Sequence, residues 1–258
     1  MANPLFDTLF ARHAGRTEPF LVLEHGASVS YAGFLEQVAQ IAHVLRAAGI
    51  APGNRVAAQI EKSAEALALY AACVQAGAVF LPLNTAYTAS ELTYFVEDSG
   101  ARLFVCDPAK EGALAEMAAR AGARVLTLSA SGGGSLMEHA ASQPRHFETC
   151  ARDVDDLAAF LYTSGTTGRS KGAMLSQRNL LSNAQTLTEV WRFSADDVLL
   201  HALPIFHTHG LFVATNITLI AGGAMIFLPK FDADAMIAQL PNATAMMGVP
   251  TFYTRLLD

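Results

Sequence analysis

A chain of 258 residues, 52% hydrophobic and only 16% charged, carries enough apolar material for a large buried core in one large domain or two small ones. Its net charge of −6, with Lys and Arg scattered along the chain, leaves no electrostatic footprint for nucleic acid or an anionic membrane. The three cysteines, Cys73, Cys106 and Cys150, stand too far apart for a ligand cluster, and so sparse a set points to reduced thiols and a cytoplasmic setting.

The N-terminus has no basic region followed by an apolar core, so no signal peptide is expected. Pro4–His13 reads as a short amphipathic helix, and Phe20–Leu23 with Ala27–Ser30 as a hairpin-like pair around Glu24-His25-Gly26. Ser30 is placed to cap a helix over Tyr31–Ala48, whose apolar positions Phe34, Val38, Ile41 and Leu45 recur at helical spacing until Gly49. Strands then alternate with helices. Arg55–Ile60, Ala78–Leu83, Arg102–Cys106 and Arg124–Leu128 read as strands, and Ser63–Ala76, Ser90–Asp98 and Glu111–Ala121 as helices. Asn84-Thr85-Ala86-Tyr87 is a polar turn at a strand end, where α/β proteins place ligands.

Ser129–Gln143, with Ser131-Gly-Gly-Gly-Ser135, has the composition of a flexible linker, and no chemistry is expected of it. Leu157–Leu161 is a buried strand by its apolar run. Arg178–Val190 follows as a helix, Asp197–His201 as a strand, His209–Ile220 as a helix and Ala224–Leu228 as a strand. Asp232–Leu240 is a helix capped by Asp232 or Asp234, Ala245–Gly248 a strand, and Thr251–Leu257 the start of another helix. The uncharged stretches Ala66–Asn84 and His209–Pro229 are each broken by Gly, Pro or polar residues, so each is expected to split into a buried helix and a strand rather than span a membrane. This alternation predicts an α/β fold with a mostly parallel sheet and helices on both faces.

One stretch carries more than fold information. Tyr162-Thr-Ser-Gly-Thr-Thr-Gly-Arg-Ser-Lys-Gly172 holds three Thr, two Ser, three Gly, an Arg and a Lys in eleven residues, directly after a strand. Gly165 and Gly168 free the backbone to turn amides into one concavity. Thr163, Ser164, Thr166 and Thr167 add hydroxyl donors, and Lys171 a point charge suited to phosphate oxygens. Composition alone also fits a flexible loop. The spacing is not that of a Walker A loop, which joins Gly-Lys-Ser/Thr at a helix N-terminus, whereas here a strand follows.

Tyr162–Gly172 resembles the signature loop of the adenylate-forming superfamily of acyl-CoA synthetases, firefly luciferase and peptide-synthetase adenylation domains. The resemblance implies layered α/β subdomains with mostly parallel sheets, forming an incomplete N-terminal large domain. Residues 1–150 would be its first α/β portion, and residues 151–258 the phosphate loop and the start of the acyl-pocket portion. The resemblance makes Thr163, Ser164, Gly165, Thr166, Thr167, Gly168 and Lys171 nucleotide-binding, Lys171 also catalytic, and Thr167 a ligand to Mg²⁺. The Pro-Leu-Asn turn ending at Asn84 also recurs in the family.

Ala202-Leu-Pro-Ile-Phe-His-Thr-His-Gly-Leu-Phe212 holds His207 and His209, which with His201 just before it could suggest a metal, but no Asp, Glu or Cys lies near, so structural roles outweigh metal binding. The segment resembles the superfamily's second conserved stretch, which makes His207 a catalytic and acid-binding residue with His209 secondary. Met247–Leu256 resembles the lining of the acyl pocket. There Arg255 is either an exposed helix cation or a bidentate partner for a second substrate carboxylate. These segments together resemble the malonyl-CoA synthetase subfamily, implying malonate or methylmalonate, ATP, Mg²⁺ and CoA as reaction partners, and no nucleic acid or membrane span.

Two departures stand out. Gln177 occupies a position where relatives often carry His, with little expected effect on chemistry. Relatives also continue well beyond Asp258, through the Mg²⁺-binding glutamate, the ribose-binding aspartate, the hinge and a small C-terminal domain, so this chain alone is expected to be inactive. Two rivals stay open: a synthetase for another short-chain or aromatic acid, and a non-catalytic nucleotide-binding remnant.

Overall fold

A computed structural model of the chain describes residues 2–163 and 170–257. It divides into two compact units, one of Met1–Asp7 with Leu35–Asn179 and one of Thr8–Phe34 with Leu180–Asp258. In chain order come α1 (Pro4–Leu9), β1 (Pro19–Leu23), β2 (Ser28–Ser30), α2 (Tyr31–Ala47), β3 (Arg55–Gln59) and α3 (Ala64–Gln75). Next are β4 (Val79–Pro82), α4 (Ala89–Ser99), β5 (Leu103–Cys106), α5 (Glu111–Arg120), β6 (Arg124–Thr127) and α6 (Ser135–Ala141). Then come β7 (Leu157–Thr163), β8 (Lys171–Ser176), α7 (Gln177–Val190), β9 (Val198–His201), a π-helical segment (His209–Thr215) and α8 (Asn216–Ala221). The last elements are β10 (Ala224–Phe227), α9 (Ala233–Gln239), β11 (Ala245–Met247) and α10 (Pro250–Leu257).

The first unit is built on a six-stranded sheet in the order β6-β5-β3-β4-β7-β8, parallel throughout except for the antiparallel β7–β8 pair. Strands buried on both faces need continuous apolar runs, and all four residues of β4 and of β5 are buried. α3 is buried along nearly its whole length, with Leu67, Leu69 and Tyr70 at 0% exposure. Each such side chain contributes about 1.5–3 kcal/mol by leaving water. Ser63 caps α3 by accepting from the Ala66 amide. The expected divide at residue 150 lies inside this unit, because β4 and β7, from either side of it, are neighbours in one sheet. Gln177 is buried here. Its Oε1 accepts from the Leu5 amide at 2.9 Å and its Nε2 donates to Asn3 Oδ1 at 3.1 Å, which pins the N-terminal segment to this unit.

The second unit has a five-stranded sheet in the order β11-β9-β10-β1-β2, in which β1 lies parallel to β10 and the β1–β2 hairpin is antiparallel. Within its core Phe20 stacks on Tyr31 and meets Phe34 edge-on, and the Tyr31 hydroxyl donates to the Gly223 carbonyl at 2.7 Å. Ser30 accepts from the Gly33 amide, the expected cap of α2.

Two elements depart from the sequence reading. Within Ser129–Gln143, read as flexible linker, lies α6. Leu136 and Ala140, one turn apart, are buried beneath it, and Ser135 and Thr127 exchange hydrogen bonds between each amide and the other's hydroxyl. Gly134, at φ 119°, supplies the backbone turn that starts it. The expected α-helix over His209–Ile220 begins instead as a π-helix. The Gly210 carbonyl accepts from Thr215 Oγ1 at 3.0 Å and lies 2.9 Å from His201 Nε2, side-chain bonds that compete with the α-helical ladder. Among the described residues no helix is long and apolar enough to cross a membrane.

Candidate functional site

β7 and β8 form the stem of the Ser/Thr/Gly loop. Thr163, the last residue of β7, pairs with Lys171, the first of β8, and its hydroxyl donates to the Lys171 carbonyl at 3.4 Å. Ser164, Gly165, Thr166, Thr167 and Gly168, expected to cradle phosphate and Mg²⁺, lie outside the described residues. Lys171 is exposed and makes no ion pair among the described residues, so its charge is available to an anion. Because β7 runs parallel to β4, the loop leaves the sheet at the carboxyl end of a parallel strand, where α/β sheets bind ligands. Gly172 is fixed by packing. A Cβ there would stand 2.2 Å from the Phe160 ring.

Around this stem lie residues the sequence did not single out. The Tyr94 hydroxyl donates to the Ser170 carbonyl at 3.0 Å, and the Tyr162 hydroxyl donates to Asp98 Oδ2 at 2.6 Å. Phe95 and Tyr162 pack with ring centroids 4.3 Å apart, and Phe160 sits against Tyr162. The only local signal was a Tyr and an Asp four residues apart on a predicted helix, too common a pattern to mark a site.

The Asn84–Tyr87 turn, at the carboxyl end of β4, is held from beneath. Buried Gln59 donates from Nε2 to the carbonyls of Asn84, Thr85 and Tyr87, and its Oε1 accepts from Lys110 Nζ at 3.3 Å. Lys62, just beyond β3, is also buried, and loss of water pushes its pKa well below the ordinary lysine value.

In the second unit, His207 stands in the loop after β9, and Arg255 on α10, after β11. β9 and β11 are adjacent and parallel, so both residues follow the carboxyl ends of neighbouring strands. The His207 ring packs at a tilt of 59° against that of Phe206, with centroids 4.6 Å apart, and desolvation lowers its pKa below the ordinary imidazole value. Loss of water therefore favours the neutral imidazole over the charged ring. The turn beneath it is close: a Cβ on Gly210 would stand 2.2 Å from the Pro204 carbonyl oxygen. His201 is buried, with Nε2 2.9 Å from the Gly210 carbonyl, a structural role. No group of three or more His, Cys, Asp or Glu among the described residues is placed to hold a metal.

The Arg255 guanidinium lies over the Phe231 ring at 4.6 Å from its centroid and is exposed. Stacking of this kind fixes the plane of the fork while leaving its N–H groups free for a carboxylate. His209 lines a cavity of about 290 Å³ together with Trp191, Phe193, Met247, Gly248 and Tyr253. Neither His207 nor Arg255 is among its lining residues.

The family model described as "AMP-binding enzyme" matches residues 9–258. The crystal structure of apo MatB from Rhodopseudomonas palustris superposes with a TM-score of 0.97 at 55% identity, over 100% of this chain and 51% of that one. A feruloyl-CoA synthase from Amycolatopsis sp. is 36% identical over 88% of this chain and 45% of its own length. A mitochondrial malonate–CoA ligase of Mus musculus is 35% identical over 70% of this chain and 32% of its own length. The chain thus spans about half the length, or less, of these relatives.

Proposed function

The chain belongs to the family of AMP-binding enzymes, and from that premise we propose that it is the nucleotide- and acid-binding part of an acid–CoA ligase that activates malonate or methylmalonate. In the proposed reaction a substrate carboxylate oxygen attacks the α-phosphorus of ATP. The P–O bond to the β-phosphate breaks, pyrophosphate leaves, and an acyl-AMP forms. The CoA thiolate then attacks the acyl carbon, forming the thioester as AMP departs. Lys171 and the loop amides and hydroxyls would bind the β- and γ-phosphates and neutralise charge growing on the leaving pyrophosphate. Neutral His207 would hold the reacting carboxylate in place without binding it as a fixed cation, and Arg255 would pair the distal carboxylate. The Mg²⁺ assignment falls on Thr167, outside the described residues.

The observation that carries the reading is the placement of Lys171: an exposed cation without an acidic partner among the described residues, at the root of a Ser/Thr/Gly loop, beside the carboxyl end of a parallel strand. Lys171→Ala in the intact protein containing this chain should slow acid-dependent ATP–pyrophosphate exchange by a factor on the order of 100. Unchanged exchange would remove the phosphate-loop assignment.

The malonate assignment draws support from the malonate–CoA ligases among the relatives and from the exposed Arg255 guanidinium stacked on Phe231. A second reading, an aromatic acid, is favoured by the feruloyl-CoA synthase at 36% identity and by the aromatic walls of the cavity beside His209. The three cysteines are free thiols, which suits a reducing compartment. We assign the cytoplasm, with a mitochondrial location as the alternative raised by the mouse relative.

A further inference from the structure

We infer that Tyr94, together with the Asp98–Tyr162 pair, positions the phosphate loop by gripping both strands of its stem. The inference rests on the proposed role of that loop. Tyr94 and Asp98 are one turn apart and therefore on one face of α4. Tyr94 donates to the carbonyl of Ser170, the residue before Lys171, and so holds the returning strand. Asp98 accepts from the hydroxyl of Tyr162, the residue before Thr163, and so holds the outgoing strand. The 2.6 Å length of that second bond is typical of a charge-assisted O–H···O⁻ contact, which is stronger than a neutral one.

Tyr162 pairs with Gly172 and Thr163 with Lys171, so the two grips lie at the last rungs before the loop opens. The helix that supplies them is itself fixed at both ends. At its start Thr88 and Glu91 form a capping box, and the preceding turn is clamped by Gln59. At its end Gly100 closes the helix in the left-handed conformation. Tyr87, Phe95 and Phe160 fill the space between helix and hairpin. Packing alone would place the hairpin. The two hydroxyls add direction, because each fixes a backbone or side-chain atom one residue from a group assigned to phosphate.

Phenylalanine keeps each ring in place and removes only the hydroxyl, so it separates positioning from packing. The test is ATP–pyrophosphate exchange by the intact protein containing this chain, as wild type, Tyr94→Phe, Tyr162→Phe and Lys171→Ala. Tyr94→Phe is expected to raise the KM for ATP about fivefold, the scale of one neutral hydrogen bond, with the KM for the acid and the thermal midpoint unchanged. Tyr162→Phe should raise it further, since the bond it loses is to a charged group. If Lys171→Ala impairs exchange but both phenylalanine variants leave the KM for ATP unchanged, the positioning role is wrong while the loop assignment stands. An equal effect on both substrates, or a large fall in thermal midpoint, would make the tyrosines structural only and overturn the inference. Exchange that is absent in the wild type, or untouched by Lys171→Ala, overturns the loop assignment and this inference with it. Should Tyr94→Phe fail to fold, Tyr162→Phe carries the same test on the other strand.

Discussion

His13 can hold its native contacts in one protonation state only. Its Nε2 lies 2.7 Å from the Leu219 carbonyl, which can only accept, and its Nδ1 lies 3.0 Å from Arg16 Nη1, which can only donate. The ring is thus neutral with its proton on Nε2, and burial, helped by Arg16 and Arg12, lowers its pKa to about 4. Because the folded value lies below the unfolded one, the unfolded chain binds more protons between about pH 6.5 and 4. The stabilisation is complete above that window and is lost as pH falls through it, up to about 2 kcal/mol after allowance for solvent screening. Urea midpoints at pH 7.5 and 5.0 check this. His13→Gln, which keeps a donor for Leu219, should flatten the difference, and an unaltered slope would contradict the account. In the proposed function, Arg255 is the residue that would set substrate choice. Arg255→Leu should remove malonate-dependent exchange while leaving any activity towards butyrate or benzoate, read from the kcat/KM for each acid. Thr163, Lys171, His207 and Arg255 could be named from sequence because each sits in a motif. Tyr94 and Asp98 could not, since their meaning lies in Ser170 and Tyr162, more than sixty residues away.

At the scale of elements, α6 shows how composition misleads. Three consecutive glycines suggested slack chain, yet Gly134 provides the turn from which Ser135 and Thr127 bond reciprocally and Leu136 and Ala140 reach the core. Ser135→Ala removes the hydroxyl that accepts from the Thr127 amide, while the bond from the Ser135 amide to Thr127 Oγ1 stays, and should lower stability by about 1–2 kcal/mol, measured by denaturant unfolding. An effect near zero would mean that α6 is held by its apolar contacts alone. The π-helical opening of the segment after β9 was likewise hidden. It depends on two side chains, those of His201 and Thr215, converging on one carbonyl, which helical periodicity does not register. Strand and helix alternation was legible because burial imposes it locally. The pairing of β1 with β10 was not, since register between strands some two hundred residues apart leaves no local pattern.

For the molecule as a whole, two sheets present the carboxyl ends of parallel strands, and the groups assigned to chemistry follow such ends in both units: Thr163 and Lys171 in the first, His207 and Arg255 in the second. The chain accounts for about half of the MatB structure it matches, so catalysis is a property to be measured on the intact protein. The most direct test is acid-dependent ATP–pyrophosphate exchange with malonate, methylmalonate, butyrate, benzoate and ferulate side by side. The account predicts exchange that requires an acid, with kcat/KM for malonate or methylmalonate at least about tenfold above the other three, as expected if a guanidinium pairs the second carboxylate. Benzoate or ferulate supporting equal or faster exchange, or no acid-dependent exchange at all, would contradict it.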